Sequence, residues 1–451
     1  MLGLLGLGLV VLVHELGHLA AALAAGVEVE AFSIGWGPKL AGFTRGGIEW
    51  RISVLPIGGY CKMRGEEDFR KALEEKAPAL ARDERSFYGT SPWRRILIAL
   101  AGPAANVFFA LIVFIVVAAA GYTIRTTPNR IVLASEYSLD GTPRGSSFPA
   151  DQAGLRTGDR IVSAEGRPIA DYSDIQELAA VNADKPLALE VERNGERLSL
   201  TVTPLMDRET GAGRIGVYSW IDPVVESLEP GGAAAIAGIG PGDRILSADG
   251  KPIEHGIAFL ELLSSRPERL RLLIDRGGER FEAPLVLSWA EDGSSNLGLG
   301  FATQAKIIRS ASLAAAVGDG FTETWDTFAL SARGLGLLFR GVDLFKAVSG
   351  PARITYMVGK SAEAGMQAAS SGGIAQTFNF LAFLSIALFL MNLLPIPALD
   401  GGVVLVALLE LARRRPLKPL TMYRYQFVGA AMILAIFVFA TIGDLLFFAA
   451  R

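Results

Sequence analysis

His14-Glu15-Leu16-Gly17-His18 is the stretch of this chain whose residue types and spacing amount to a reaction centre. Two histidines four apart on a helix share one face and can hold a single Zn²⁺, and the glutamate beside the first can take a proton from a water on that metal. This is the apparatus of metal-dependent peptide hydrolysis. The same spacing arises by chance in soluble helices, where the histidines are solvated or hydrogen-bonded bystanders. The surroundings argue against that here, because Leu2 to Val13 and Leu19 to Ala25 carry no charge and together with the motif make a membrane-length segment. An ionisable group at mid-bilayer costs roughly 2.5–3.5 kcal/mol on insertion scales, so His14, Glu15 and His18 together need a compensating partner. The chain has 3 histidines, His14, His18 and His255, and the motif uses two of them.

The elements that must position this motif belong to a chain of 451 residues, 51% of them hydrophobic, long enough for several domains and too apolar to be wholly soluble. A net charge of −3 carries little information. The single cysteine, Cys61, excludes an intrachain disulfide and a cysteine-based zinc ribbon, and reads as a small apolar loop residue. The N-terminal stretch lacks a basic leading region and a small-residue cleavage site, and it contains the motif, so it is expected to be a retained transmembrane helix rather than a signal peptide. The run before His14 is short for a full span.

Residues 27 to 60 alternate apolar with polar (Val27, Val29, Ala31; then Ile48, Trp50, Ile52, Val54) and are punctuated by Gly46-Gly47 and Pro56-Ile57-Gly58-Gly59, which predicts strands with one apolar face. Residues 65 to 91 are charged and mixed in sign, the pattern of a solvated, partly helical or mobile loop. Ile96 to Tyr122 is a second span containing Ala101-Gly102-Pro103-Ala104-Ala105-Asn106; its small residues permit close packing, and Asn106 is either a polar packing group or a residue near the active site.

From about 125 to 290 the composition turns soluble and repeats itself. Ala153-Gly154-Leu155-Arg156-Thr157-Gly158-Asp159-Arg160-Ile161 returns as Ala237-Gly238-Ile239-Gly240-Pro241-Gly242-Asp243-Arg244-Ile245. Two copies of one module of roughly 80–90 residues are the economical reading. The pattern resembles bacterial PDZ domains, with the longer helix around Tyr172 to Ala180 or Ile257 to Ser264. Such modules bind extended peptides or chain ends by strand addition, or serve here as steric spacers.

Residues 303 to 375 are weakly amphipathic and are expected on or against the membrane. Phe380 to Ala412 is a third apolar stretch, interrupted by Asn392, Pro395, Pro397 and Asp400-Gly401-Gly402, with an unwound or re-entrant first part and a helix from about Leu399. Phe427 to Phe448 is a fourth span. Arg94-Arg95 and Arg413 to Arg415 put their loops in the cytoplasm by the positive-inside rule, leaving both termini and the repeated modules outside. His14 and Asp400 then lie at the same depth, roughly 17 Å from the cytoplasmic ends of their segments if both are helical. An aspartate stranded in an apolar stretch needs a cation, and two histidines leave a catalytic zinc one protein ligand short, so Asp400 is the candidate third ligand.

At this point the residues resemble the site-2 protease family of intramembrane zinc metalloproteases, most closely the type with tandem PDZ domains. The resemblance rests on the His14–His18 motif, Gly35-Trp36-Gly37-Pro38, Pro56-Ile57-Gly58-Gly59-Tyr60, Ala101-Gly102-Pro103 with Asn106, the tandem modules, Gly350-Pro351, and Asn392-Leu393-Leu394-Pro395-Ile396-Pro397-Ala398-Leu399-Asp400-Gly401. It implies Zn²⁺ on His14, His18 and Asp400, Glu15 as general base, and Asn392 with the Pro395 and Pro397 backbone holding substrate. Trp36 stands where phenylalanine is usual and Cys61 where valine is frequent. The family makes the second cut in a single-pass membrane protein already trimmed outside, such as an anti-sigma factor, and clears signal-peptide remnants.

The expected architecture is a multi-pass α-helical membrane protein of the bacterial cytoplasmic membrane with four spans, a membrane-associated β-hairpin or sheet, and two α+β PDZ domains. Its expected division is 1–124 (protease core), 125–208 and 209–290 (PDZ domains), 291–379 (amphipathic helices) and 380–451 (rest of the core). The expected partners are the lipid bilayer, a single-pass substrate and a peptide or chain end at the PDZ modules, with no nucleic acid. A transmembrane helix hides its peptide bonds until it unwinds, so a sheet edge near Ile52 and Val54 is expected to take the unwound substrate as an added strand, and the PDZ pair to act as a size filter. Two other readings are a membrane scaffold with a vestigial metal site, and a transporter with a structural metal.

Overall fold

The computed structural model describes residues 2–77, 79–80, 82–139, 143–207, 212–290, 294–337, 350, 352–357 and 371–449. The chain folds as two compact units, Met1–Thr123 with Ile307–Ala450, and Ile124–Lys306.

In the first unit, 4 helices among the described residues are long and apolar enough to cross a membrane: Leu5–Ala24, Pro92–Ala120, Gly373–Leu393 and Pro419–Ala449. Helices suit this role because every backbone bond is satisfied within the segment. The second span starts four residues before the expected Ile96: the Ser91 side chain accepts from the Arg94 N–H, Pro92 occupies the first turn, and Gly121 at φ 73° ends it. The first and second spans touch backbone to backbone. A Cβ on Gly17 would lie 2.3 Å from the Ala101 carbonyl oxygen, so only glycine fits.

The third apolar stretch differs from expectation. Its first part is a helix, Ser371–Leu393, and the unwound part is confined to the few residues before the helix Asp400–Arg413. Ser371 to Asn379, expected at the end of the amphipathic region, belongs to the same helix, and the two prolines at 395 and 397 confine the break. At 14 residues, Asp400–Arg413 is too short to cross a bilayer. Glu410 on this helix forms a buried ion pair with Arg95 at the start of the second span and also accepts from the Leu417 N–H.

The strands Val29–Arg45 and Ile48–Met63 form a hairpin folded back on itself. Ile34 pairs with both Ile52 and Gly59, and Ile52 pairs with both Ile34 and Ala41. The segment around Ile52 is therefore internal to the sheet, not an edge as expected; the edges are Lys39 to Arg45 and Gly59 to Met63. The charged stretch after the hairpin is partly helical (Glu66–Glu74) but is anchored, with Phe69, Leu73 and Tyr88 packed on Val406 and Met422. The helix Leu313–Leu337 runs against the second span, where Gly320 faces Ile115 closely. Pro351 and the remainder of the expected amphipathic region, 338–349 and 358–370, lie outside the described residues.

The second unit holds two sheets of identical order. In one, Arg167–Pro168, Arg160–Ala164, Leu187–Arg193 and Glu196–Val202 are neighbours; in the other, Lys251–Pro252, Arg244–Ala248, Arg269–Arg276 and Glu279–Val286. Helices Tyr172–Val181 and Gly256–Ser264 cover them. Corresponding residues fill the cores, Ile161 and Val191 in the first and Ile245 and Ile274 in the second, all fully buried. Two short pairings tie each module's ends together: Ile131–Leu133 with Val217–Ser219, and Val225–Leu228 with Leu299–Phe301. Each of these closing strands lies beyond the 208 and 290 boundaries expected from the sequence. The repeated aspartates are structural: Arg193 grips both oxygens of Asp159 at 2.7 Å, and Arg276 does the same to Asp243. His255 caps its helix by accepting from the Ala258 N–H, and burial pushes its pKa down, which keeps it neutral.

Candidate metal centre

His14 and His18 lie one turn apart on the first span, both buried, with ring centroids 4.7 Å apart and planes at 82°. Asp400 opens its short helix directly after the proline break. That helix start fits under the break only because its next two residues lack side chains: a Cβ on Gly401 would lie 2.3 Å from the Leu393 and Leu394 carbonyl oxygens, and one on Gly402 2.3 Å from the Ile396 carbonyl oxygen. From the far side, Gly429 of the fourth span lets Pro397 approach in the same way. The Asp-Gly-Gly sequence thus seats the carboxylate at the histidines.

The three candidate ligands converge. His14 Nε2 is 3.1 Å from Asp400 Oδ2, His18 Nε2 is 3.4 Å from Asp400 Oδ1, and the two Nε2 atoms are 3.1 Å apart. Donors on a tetrahedral zinc, each about 2.0–2.2 Å from the metal, stand about 3.3 Å from one another, so this spacing fits the ion. The outer contact of His18 also fits. His18 Nδ1 is 2.8 Å from the Ile98 carbonyl oxygen, which as an acceptor places the proton on Nδ1 and leaves the Nε2 lone pair for a metal. His14 Nδ1 faces the Asn106 amide at 3.2 Å. Asp400 Oδ2 is buried without a hydrogen-bond partner, an expensive state unless a cation takes it up.

Gly102 makes room for this arrangement, since a Cβ there would stand 2.3 Å from His18 Nε2. The glycine and the asparagine of the second-span motif, at 102 and 106, therefore each meet one histidine. Glu15 lines the same cavity, of about 470 Å³, and the Cys61 backbone N–H is directed at its carboxylate. Cys61 contributes through its backbone; burial, assisted by the Glu15 charge, pushes its thiol up to about 12.

Of the residues expected to hold substrate, Asn392 lines the cavity, as do Ala398 and Leu399 of the break, whereas Pro395 and Pro397 are not among its lining residues and Pro397 packs against Gly429. Ile52 and Val54 are exposed on the hairpin and do not line the cavity. Sequence reasoning missed Phe87 and Tyr88, which form part of the cavity wall. An aromatic pair inside a charged stretch was the available signal.

The sequence profile of Peptidase family M50 matches residues 2–436. This chain belongs to peptidase family M50. The M50 relatives share nearly its whole length. A provisionally named zinc metalloprotease of Treponema pallidum (strain Nichols) is 39% identical over 447 residues, covering 99% of this chain and 98% of its own. "Metalloprotease MmpA" of Caulobacter vibrioides is 29% identical, covering 97% and 93%. "Regulator of sigma-E protease RseP" of Escherichia coli (strain K12) is 28% identical, covering 92% and 90%. The protein is a zinc metalloprotease of the site-2 type, a multi-pass protein of the inner membrane.

Proposed function

We propose that this protein hydrolyses a peptide bond within the transmembrane segment of a single-pass protein whose outer domain has already been removed. The observation that carries the reading is the meeting of His14, His18, Asp400 and Glu15 in one cavity on a helix of membrane-crossing length. In it, His14, His18 and Asp400 hold the zinc. When bound, zinc supplies Lewis acidity, easing deprotonation of water near neutral pH and polarising the scissile carbonyl. Glu15 takes the proton of the attacking water, keeps it on its carboxylate, and delivers it to the leaving amine. The Cys61 N–H steadies that carboxylate between the two transfers. Asn392 and the backbone of the proline break orient the substrate chain beside it.

The unwound substrate needs partners for its backbone. Gly59 to Met63 is the hairpin edge that borders the cavity, so strand addition is assigned to this edge rather than to Ile52 and Val54. The two repeated modules are both PDZ domains and exclude substrates with intact outer domains. Basic residues at 94–95 and 413–415 favour an arrangement with both termini and these modules outside the cytoplasm. The name of the Escherichia coli relative links that protein to regulation of a sigma factor, which is consistent with an anti-sigma factor as the substrate class here; remnant signal peptides share the same chemistry.

The test is cleavage of a truncated single-pass substrate in detergent by wild type and Glu15→Gln side by side. Wild type should cut within the apolar segment, while the variant binds zinc normally and loses about 10²–10⁴-fold in rate. A variant that cuts at the wild-type rate would remove Glu15 from the mechanism.

A further inference from the structure

The two histidines are held differently on their outer sides. His18 Nδ1 faces a backbone carbonyl, which can only accept. His14 Nδ1 faces a side-chain amide, Asn106 Nδ2 at 3.2 Å, which in that orientation donates. Asn106 is fully buried in the second span, and its backbone carbonyl accepts from Ser385 Oγ at 3.0 Å. Its side-chain oxygen Oδ1 has no partner among the described residues. A half-turn about the last side-chain bond exchanges amide nitrogen and oxygen without disturbing the packing.

Metal chemistry decides between the two orientations. For His14 to offer its Nε2 lone pair, Nδ1 must carry the hydrogen. An amide NH₂ opposite that hydrogen sets donor against donor, whereas the amide oxygen accepts it. With the NH₂ inward, Nδ1 accepts instead, the imidazole proton sits on Nε2, and His14 is no ligand. We propose that Asn106 is the positioning residue that sets the metal-ready tautomer of His14, its Oδ1 accepting from Nδ1–H whenever the metal is bound. The inference rests on the reading of His14, His18 and Asp400 as zinc ligands and adds the residue that prepares one of them.

The experiment uses the purified full chain in detergent, with zinc affinity measured by chelator competition and the imidazole nitrogens followed by ¹⁵N NMR, a tractable spectrum with 3 histidines. Asn106→Asp supplies only acceptors and should keep zinc within about threefold of wild type, whereas Asn106→Leu should lose about 10–100-fold. Zinc-loaded wild type and Asn106→Asp should both show His14 protonated at Nδ1. Wild-type affinity in Asn106→Leu overturns the proposal, and so does an Asp variant that loses as much zinc as Leu. A pure packing role would lower thermal stability in both variants and leave zinc affinity alone. Where Asn106→Leu fails to fold, Asn106→Asp decides alone: retained zinc with the Nδ1–H signal supports the proposal, and lost zinc in a folded protein overturns it. His14→Ala separates the two levels, since unchanged zinc affinity there sinks the ligand assignment and the role of Asn106 with it.

Discussion

Asp243 and Asp400 are both aspartates largely withdrawn from solvent, and the two units of the molecule treat them in opposite ways. Asp243 receives two hydrogen bonds from Arg276 and a third from the Gly240 N–H at 2.8 Å, so its charge is met and its lone pairs are used. Asp159 is met in the same manner by Arg193 and the Arg156 N–H. Asp400 faces two histidine nitrogens, and its Oδ2 has no hydrogen-bond partner. Other buried acids of the membrane unit resemble the first kind: Glu410 is paired with Arg95, and Asp444 accepts from the N–H groups of Gly350, Ala352 and Arg353. A satisfied acid holds a fold together; an acid left facing other metal-type donors marks a site.

The strongest way to break this contrast is to neutralise one acid of each kind. Asp400→Asn should lower zinc affinity by more than about 100-fold, beyond what loss of an outer-shell partner causes, and abolish cleavage. Asp243→Asn should leave zinc affinity unchanged and cost its module about 2–3 kcal/mol, a figure held down by the half-exposed Arg276. The pH dependence separates them further. Hydrogen bonds from Arg276 hold the Asp243 carboxyl below its ordinary value, so its stabilisation is present above the unfolded value near about 3.9 and is lost as pH falls through the lower folded value. Acid unfolding of the module below about pH 4 should therefore be steeper in wild type than in Asp243→Asn. Equal slopes, read by circular dichroism, would remove the structural role assigned to this acid.

Glycines sharpen the same contrast at a smaller scale. Gly102→Ala puts a Cβ 2.3 Å from His18 Nε2, so the ring must move and zinc affinity should fall on the order of 10–100-fold. Gly154 in the first module has nothing within 4 Å of such a Cβ and is glycine only for its φ of +80°. Gly154→Ala should cost about 1–2 kcal/mol of stability with zinc binding untouched. Chelator competition and thermal unfolding on both variants check the pair, and similar zinc losses in the two would sink the idea that Gly102 is shaped to the histidine.

The sequence was readable where chemistry demands fixed spacing. His14, Glu15 and His18 declare themselves because a helix turn separates the histidines, and Asp400 because an acid in an apolar stretch has few other uses. The repeat was readable for the same reason: glycine turns and an Arg-bound aspartate recur at matching positions. Pairing across distance was not. Ile52 has the alternation of any strand residue, and nothing local tells that two neighbours flank it. The closing strand Val217–Ser219 is three residues long and carries no periodicity of its own. Phe87 and Tyr88 sit among charges, so their burial depends on residues distant in the chain: the first two spans and the hairpin for Phe87, the Asp400 helix and the fourth span for Tyr88.

The smallest effect separates backbone from side chain at Cys61. Its N–H is directed at Glu15 while its side chain is half-buried and its thiol is pushed up to about 12. The thiolate is the reactive form, so at pH 8 only roughly one thiol in ten thousand is ionised, against about a quarter for an ordinary cysteine. Iodoacetamide should therefore label the folded protein slowly, at a rate that rises about tenfold per pH unit across pH 7–9, and label the urea-unfolded chain quickly. Rapid labelling of the folded form would mean an exposed, ionised thiol on the cavity wall. In that event burial would not be what holds the thiol protonated beside Glu15, and the contrast between its backbone and its side chain would fall.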